Sequence, residues 1–219
     1  MAGGWRVRLT SRGTAHMVKQ QQMPMSCGMA SCAMVNYKMK KGALLTAVAE
    51  DAALSVGIPI FGAMIGAELT REAVDYAVKS EPEVYKIYSQ VTGSPYDGNI
   101  GTDVEKYPEV LRQLNCGDWE TLTVPANGVG NSISSALLRG SPVIACVSWF
   151  SGGSHAVVID PTFYAPGQTW FVCDPGDGDV HVTATSNEKL VFYRGMRGTF
   201  DGRFCARTSG VAPYSPATG

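Results

Sequence analysis

The chain has 219 residues, 45% of them hydrophobic, enough for one large domain or a domain with insertions around a sizeable buried core. Its 18 lysines and arginines stand against 19 aspartates and glutamates, so no overall field draws it onto nucleic acid or an anionic membrane. Six cysteines spread thinly through a chain of this size predict reduced thiols rather than a disulfide framework.

The opening stretch 1–19 is basic and lacks the apolar core of a secretory signal, so it reads as an N-terminal extension with no Sec-type export. A domain is expected over 20–205. Small and sulfur-containing residues from Ser26 to about Tyr37 predict a buried helix with Ser26 as N-cap, which puts Cys27 in the first turn. From Ala43 to Tyr88 the pattern is helical around ALLTAVAEDAAL and ELTREAVDYAVKS, broken by a segment rich in glycine and containing Pro59. The longest charge-free apolar run, Ala52 to Ala67, is shorter than a bilayer span and contains Gly57, Gly62 and Gly66, so no membrane span is expected. Residues 43–101 are read as a helical subdomain or insertion.

DVEKYPEVLRQLNCG resumes a helix, with Asp103 near its start and Gly117 suited to its end. WETLTV alternates like a strand, NSISSALLRG is a short helix from an Asn cap to a Gly stop, and SPVIACVSWF is a continuous apolar strand. SHAVVID, TWFVCD and DVHVTAT follow as three more strands of an antiparallel meander. The last residues, 206–219, read as a flexible tail. No C-x2-C pairs support structural zinc, and DPGDGDVH lacks the spacing and terminal Glu of a calcium loop, so it is read as a turn.

A nucleophilic cysteine needs its thiolate, and a helix N-terminus favours that anion through unpaired N–H groups and the helix dipole. Cys27 is placed there. It also needs a base, and the chain offers only His16, His155 and His181. His155 opens a strand behind a glycine-containing bend, at a sheet edge where a base can meet solvent; His16 and His181 read as surface or strand residues, and Cys32 as packing. If HAVVID and TWFVCD pair with positions summing to 329, His155 lies opposite Asp174 and Ile159 opposite Trp170. Opposed residues hold their Cβ atoms roughly 4.5–5.5 Å apart, close enough for a carboxylate to orient an imidazole. Gln20, Gln21 and Gln22 stand just upstream of the thiol, where a side-chain amide could join the Cys27 N–H as oxyanion donor.

Gln, Cys, His and Asp in that order resemble papain-like cysteine peptidases. QQMPMSCGMASC, LLRGSPVIACVSWFSGGSHAVVID and WFVCDPGDG are similar to the bacterial double-glycine leader peptidase group and its stand-alone effector or toxin relatives. The resemblance implies Cys27 as nucleophile, His155 as base, Asp174 as its partner and Gln21 as the oxyanion glutamine. It implies an α+β fold, with an N-terminal helical part carrying the nucleophile packed on a C-terminal twisted antiparallel sheet. Without a G-x-x-x-x-G-K-[ST] loop or a membrane span the chain is not half of an ATP-driven exporter, and a free-standing enzyme is implied. Expected partners are a protein or peptide substrate, cleaved after small residues such as Gly-Gly, and a cognate inhibitor or immunity protein; no cofactor or metal is needed. The same thioester chemistry serves a glutamine deamidase or acyltransferase, and an inactive papain-like binding module is the rival of another class. The effector resemblance implies residence in a bacterial cytoplasm, then delivery into a target cell by a signal-independent route.

Overall fold

Apolar runs in the second half of the chain pair into a curled antiparallel sheet of β3 (Trp119–Thr123), β4 (Val143–Trp149), β5 (Ser154–Asp160), β6 (Thr169–Asp174), β7 (Asp179–Ala184), β8 (Lys189–Phe192) and β9 (Met196–Arg207). The structure is a computed structural model that describes residues 4–10, 15–52, 79–160, 169–184, 189–192 and 196–208. Its strand order is β3-β9-β4-β5-β6-β7, with β8 also paired to β9. The meander expected from the sequence is β4 to β7, and the class is α+β.

The sequence reading missed β9, which lies in the middle of the sheet. Gly198 lets β4 come close, since a Cβ on it would stand 2.7 Å from the Ser148 carbonyl oxygen, while Asp201 and Gly202 lie in a bulge: Ala145 faces Phe204 and Val147 faces Phe200, so β9 spends two extra residues there. Gly202 takes φ +94°, and a Cβ on it would stand 2.1 Å from the Val124 carbonyl oxygen. The expected tail therefore starts too early: Ala206 and Arg207 belong to β9, Ala206 is buried, and 209–219 lie outside the described residues.

Four α-helices occur among the described residues: α1 (Cys27–Ala52), α2 (Glu81–Thr92), α3 (Tyr107–Gln113) and α4 (Val129–Leu137). None of these helices is long and apolar enough to cross a membrane. Because strand residues alternate between faces, the sheet is buried on both sides. On one side Ile144, Cys146, Ala156, Val158 and Cys173 pack with Met29, Cys32 and Val35 of α1 and with Val110 and Leu111 of α3. On the other, Val143, Ala145, Val157, Ile159 and Phe200 pack with Ile133 and Leu137 of α4. Each such aliphatic side chain contributes about 1.5–3 kcal/mol by leaving water.

Three further expectations change. Residues 1–19 are not a mere extension: β1 (Trp5–Leu9) and β2 (Ala15–Lys19) form a hairpin whose His16, Met17, Val18 and Lys19 are buried. ELTREAVDYAVKS lies almost wholly outside the described residues, and Ser80 at its end starts the next helix rather than ending one. Glu83 returns its carboxylate to the Ser80 N–H at 2.8 Å, Pro82 stands in the first turn, and Gly93 closes α2 at φ +70°. The Asn131 cap is likewise displaced, since α4 starts at Val129.

Candidate active site

Cys27 is the first residue of α1, at the helix start where backbone N–H groups lack intrahelical partners. Burial raises its thiol, but hydrogen bonding to His155, the His155 charge and the N–H groups of Ala156 and Gly28 outweigh that, and the thiol is held below its ordinary value. The other five cysteines behave oppositely. Burial pushes Cys32, Cys116 and Cys205 up, and takes Cys146 and Cys173 to about 12. All six are free thiols, so the contrast is between one polarised cysteine and five that pack.

His155 is the second residue of β5, and its Nε2 lies 2.6 Å from Asp174 Oδ1 at the end of β6. With Nε2 on the carboxylate, Nδ1 is left for the thiol. Desolvation alone would lower the imidazole; the charge and hydrogen bond of Asp174, with those of Cys27, raise it to about 10. Its ring stacks on Trp149 with centroids 5.5 Å apart. Asp174 is fully buried and also accepts the Gly176 N–H at 2.7 Å, a turn held from outside by Gln21 N–H on the Pro175 carbonyl at 2.8 Å and Arg8 on the Gly178 carbonyl at 2.8 Å.

The expected pairing has the wrong register and the right face. Val158 faces Cys173 and Ile159 faces Val172, a sum of 331 rather than 329, so Ile159 does not oppose Trp170 and Asp174 is diagonal to His155. A slip of two residues leaves every side chain on the same side of the sheet. Residues 161–168, between the two strands, lie outside the described residues.

Gln21 departs from its expected role. Both hydrogens of its amide are taken, by the Met23 carbonyl at 2.9 Å and the Pro24 carbonyl at 2.8 Å, so it braces the loop before Cys27 instead of donating into the cleft. The physical reason is local: the Pro24 turn folds back under the side chain and offers two carbonyls at short range.

A residue the sequence reading missed organises that loop. Glu81, fully buried at the start of α2, accepts Ser26 Oγ–H at 2.5 Å, the Gln22 N–H at 3.1 Å and Tyr85 O–H at 2.6 Å, with Lys19 Nζ 3.9 Å away. Tyr96 adds its O–H on the Met25 carbonyl at 3.0 Å, and Met25 N–H reaches the Gly98 carbonyl at 3.1 Å. The 79–101 part of the expected insertion is thus the wall behind the nucleophile loop. Ser80-Glu81-Pro82-Glu83 carries a helix-start signature, but nothing in it says that Glu81 turns back onto Ser26.

Beside the thiol is a cavity of about 90 Å³, lined by Cys27, His155, Thr102, Val104, Tyr107 and Ala156 among others. Thr102 Oγ1 and Tyr107 Oη are 2.6 Å apart there, and a Cβ at position 28 would stand 2.0 Å from that Tyr107 oxygen. Glycine after the cysteine therefore lets the cleft wall close on the helix start. Ser31 Oγ–H on the Ala156 carbonyl at 3.3 Å ties α1 to β5 one residue beyond His155. The three side chains thus form a contact chain in which a thiol held below its ordinary value meets an imidazole steered by a buried carboxylate, an arrangement able to add to an electrophilic carbonyl and pass a proton. No protein-family model matches the chain, and no curated protein matches its sequence.

Proposed function

We propose that the chain is a papain-like cysteine endopeptidase acting on a protein substrate, and that it serves as a bacterial effector or toxin. The observation that carries the activity is the contact chain itself: one thiol of six held low by His155, whose other nitrogen is 2.6 Å from buried Asp174. The effector role and the delivery route rest on the sequence resemblance alone.

In the reaction, Cys27 Sγ adds to the scissile carbonyl and its new oxyanion meets the backbone N–H at the start of α1. His155 Nδ1–H gives its proton to the leaving amine, the C–N bond breaks, and a thioester remains on Cys27. A water then loses its proton to His155 and attacks the thioester; the C–S bond breaks, the acid product leaves, and Cys27 Sγ is released beside the protonated His155. Asp174 holds the imidazole in the tautomer and orientation that both halves require. The small cavity between Tyr107, Val104 and the thiol supports cleavage after residues with little side chain, such as Gly-Gly.

The deciding experiment maps new protein N-termini in cells expressing the wild type beside Cys27→Ala. New N-termini that require Cys27 are expected. Identical profiles would overturn proteolysis and pass the thioester chemistry to glutamine deamidation or acyl transfer.

A further inference from the structure

Two groups of metal-ligating side chains stand among the described residues, His16–Asp160–Cys173 and Asp174–Asp177–His181, each with ligand atoms within 4.8 Å of one another. The first already holds a cation. Lys38 Nζ bonds Asp160 Oδ2 and reaches the Cys173 thiol, so its ammonium takes the place an ion would need.

In the second, no lysine or arginine among the described residues bonds Asp174 or Asp177. Asp174 Oδ1 accepts from His155 and Gly176, while Asp174 Oδ2 is buried and accepts no hydrogen bond. A buried carboxylate oxygen left open is costly and calls for an occupant. Asp177 Oδ1 caps the turn through the Asp179 N–H, leaving Oδ2 for His181 Nε2 at 2.9 Å. The Asp177 and His181 side chains are 26% and 28% exposed, so solvent reaches the outer side of the group while Asp174 closes the inner side.

We propose that Asp174 Oδ2, Asp177 Oδ2 and His181 Nε2 bind one divalent transition cation of the zinc class. One imidazole with two carboxylates suits such an ion, whereas calcium takes six or more oxygens. Bonds of about 2.0–2.2 Å place tetrahedral ligands roughly 3.3 Å apart, so ligand atoms that now lie within 4.8 Å of one another draw in by up to about 1.5 Å to close the site. The ion replaces the proton shared by His181 and Asp177, which leaves to solvent. Asp174 then bridges, with Oδ1 on His155 and Oδ2 on the metal, and the metal draws charge from the carboxylate that steers the imidazole. Occupancy therefore slows the thiol chemistry, a consequence that rests on the peptidase reading; the site itself does not.

The test uses the full chain carrying Cys27→Ala, so that no catalytic thiolate competes for metal, titrated with Zn²⁺ by calorimetry. One zinc per chain is expected, with affinity falling at least about tenfold on adding His181→Ala or Asp177→Asn, and no comparable heat from Ca²⁺. Equal affinity in both variants, or no zinc binding at all, overturns the site, as does calcium binding equally well. Metal-free thermal melts show whether each variant is folded. In chains retaining Cys27, His181→Ala is expected to keep metal-free hydrolysis and lose part of its zinc inhibition. If the wild type hydrolyses nothing, the peptidase reading fails while calorimetry still decides the site.

Discussion

Two cysteine–histidine–aspartate groups among the described residues share the β5–β6 pair, one at each end of β5, and they hold their thiols in opposite directions. Cys27, His155 and Asp174 meet at the mouth of α1; Cys173, His16 and Asp160 meet in the interior, with His16 Nδ1 3.0 Å from Asp160 Oδ2 and its ring against Phe171. In the interior group Lys38 shares the carboxylate, and burial pushes the Cys173 thiol up to about 12 even with that ammonium beside it. At the mouth, the imidazole is the cation and backbone N–H groups of Gly28 and Ala156 face the sulfur. Residue types and spacing are thus insufficient. What separates the two is a helix start under the thiol and a carboxylate whose only side-chain partner among the described residues is the imidazole.

The largest expected effect tests that separation directly. Cys27→Ala should lower kcat by about 10⁴-fold or more, because the nucleophile and the anion it forms are lost together. Cys173→Ala should leave kcat close to wild type and cost about 1 kcal/mol of stability through a small cavity. Steady-state kinetics on a peptide spanning a mapped cleavage site measures both. Comparable losses at the two positions would erase the distinction.

Lys38→Met breaks the comparison from the other side. Burial opposes the ammonium, yet Asp160 outweighs burial and holds Lys38 above its ordinary value, so the pair is formed at neutral pH. Removing the lysine leaves Asp160 buried beside His16, at a cost of about 3–5 kcal/mol read as a drop in the urea midpoint. Alkylation of Cys27 in the folded variant should be unchanged. An altered Cys27 rate would mean that the two groups are coupled through β5 and β6.

Much of the mouth group was legible in the sequence because its determinants are local. Ser26 before a run of small residues marked the start of α1, and an imidazole opening one strand with a carboxylate closing the next marked the other half. The face of the β5–β6 pair was right because alternation is a local property; its register was not, since a slip of two residues preserves that alternation and the strands' own pattern does not distinguish the two pairings. The strand β9 was hidden by Gly198 and Gly202, whose turn-like character serves a close approach to β4 at Ser148 and, at Gly202, a bulge against β4 beside Val124. Glu81 was hidden for a different reason. It lies 55 residues beyond Ser26, and its carboxylate has meaning only once α2 is folded against the nucleophile loop.

The acid–base behaviour of the mouth group sharpens the contrast further. A thiol lowered by its partner gains thiolate as pH rises through that lowered value, so alkylation by iodoacetamide should set in at lower pH for Cys27 than for an ordinary thiol. At pH 6.5 an ordinary thiol is about 1% ionised, so Cys27 should react up to about 100-fold faster than a model thiol. The five packed cysteines, pushed upward, should stay unlabelled until the chain unfolds. His155 is raised to about 10, so the ion pair persists until the imidazolium loses its proton near that pH, and the alkaline limb of activity should fall there. Peptide mapping of alkylated chains across pH reads the acid limb site by site. Labelling of Cys27 only in step with the other five would remove the difference between the groups.

The smallest effect concerns what lies in front of Cys27 and has no equivalent in the interior group. A glutamine donating to the oxyanion would cost about 10²–10³ in kcat when removed. Gln21 instead spends both amide hydrogens on the Met23 and Pro24 carbonyls, and its backbone N–H on Pro175 in the turn that carries Asp174. Gln21→Ala keeps the backbone contact and loses only the brace on the loop, so kcat should fall by less than about tenfold, with a small rise in KM as the loop loosens. Kinetics at saturating and limiting substrate separate the two. A loss of about 100-fold confined to kcat would show that the side chain turns from the loop into the cleft when substrate binds, restoring the role expected from its six-residue spacing to Cys27.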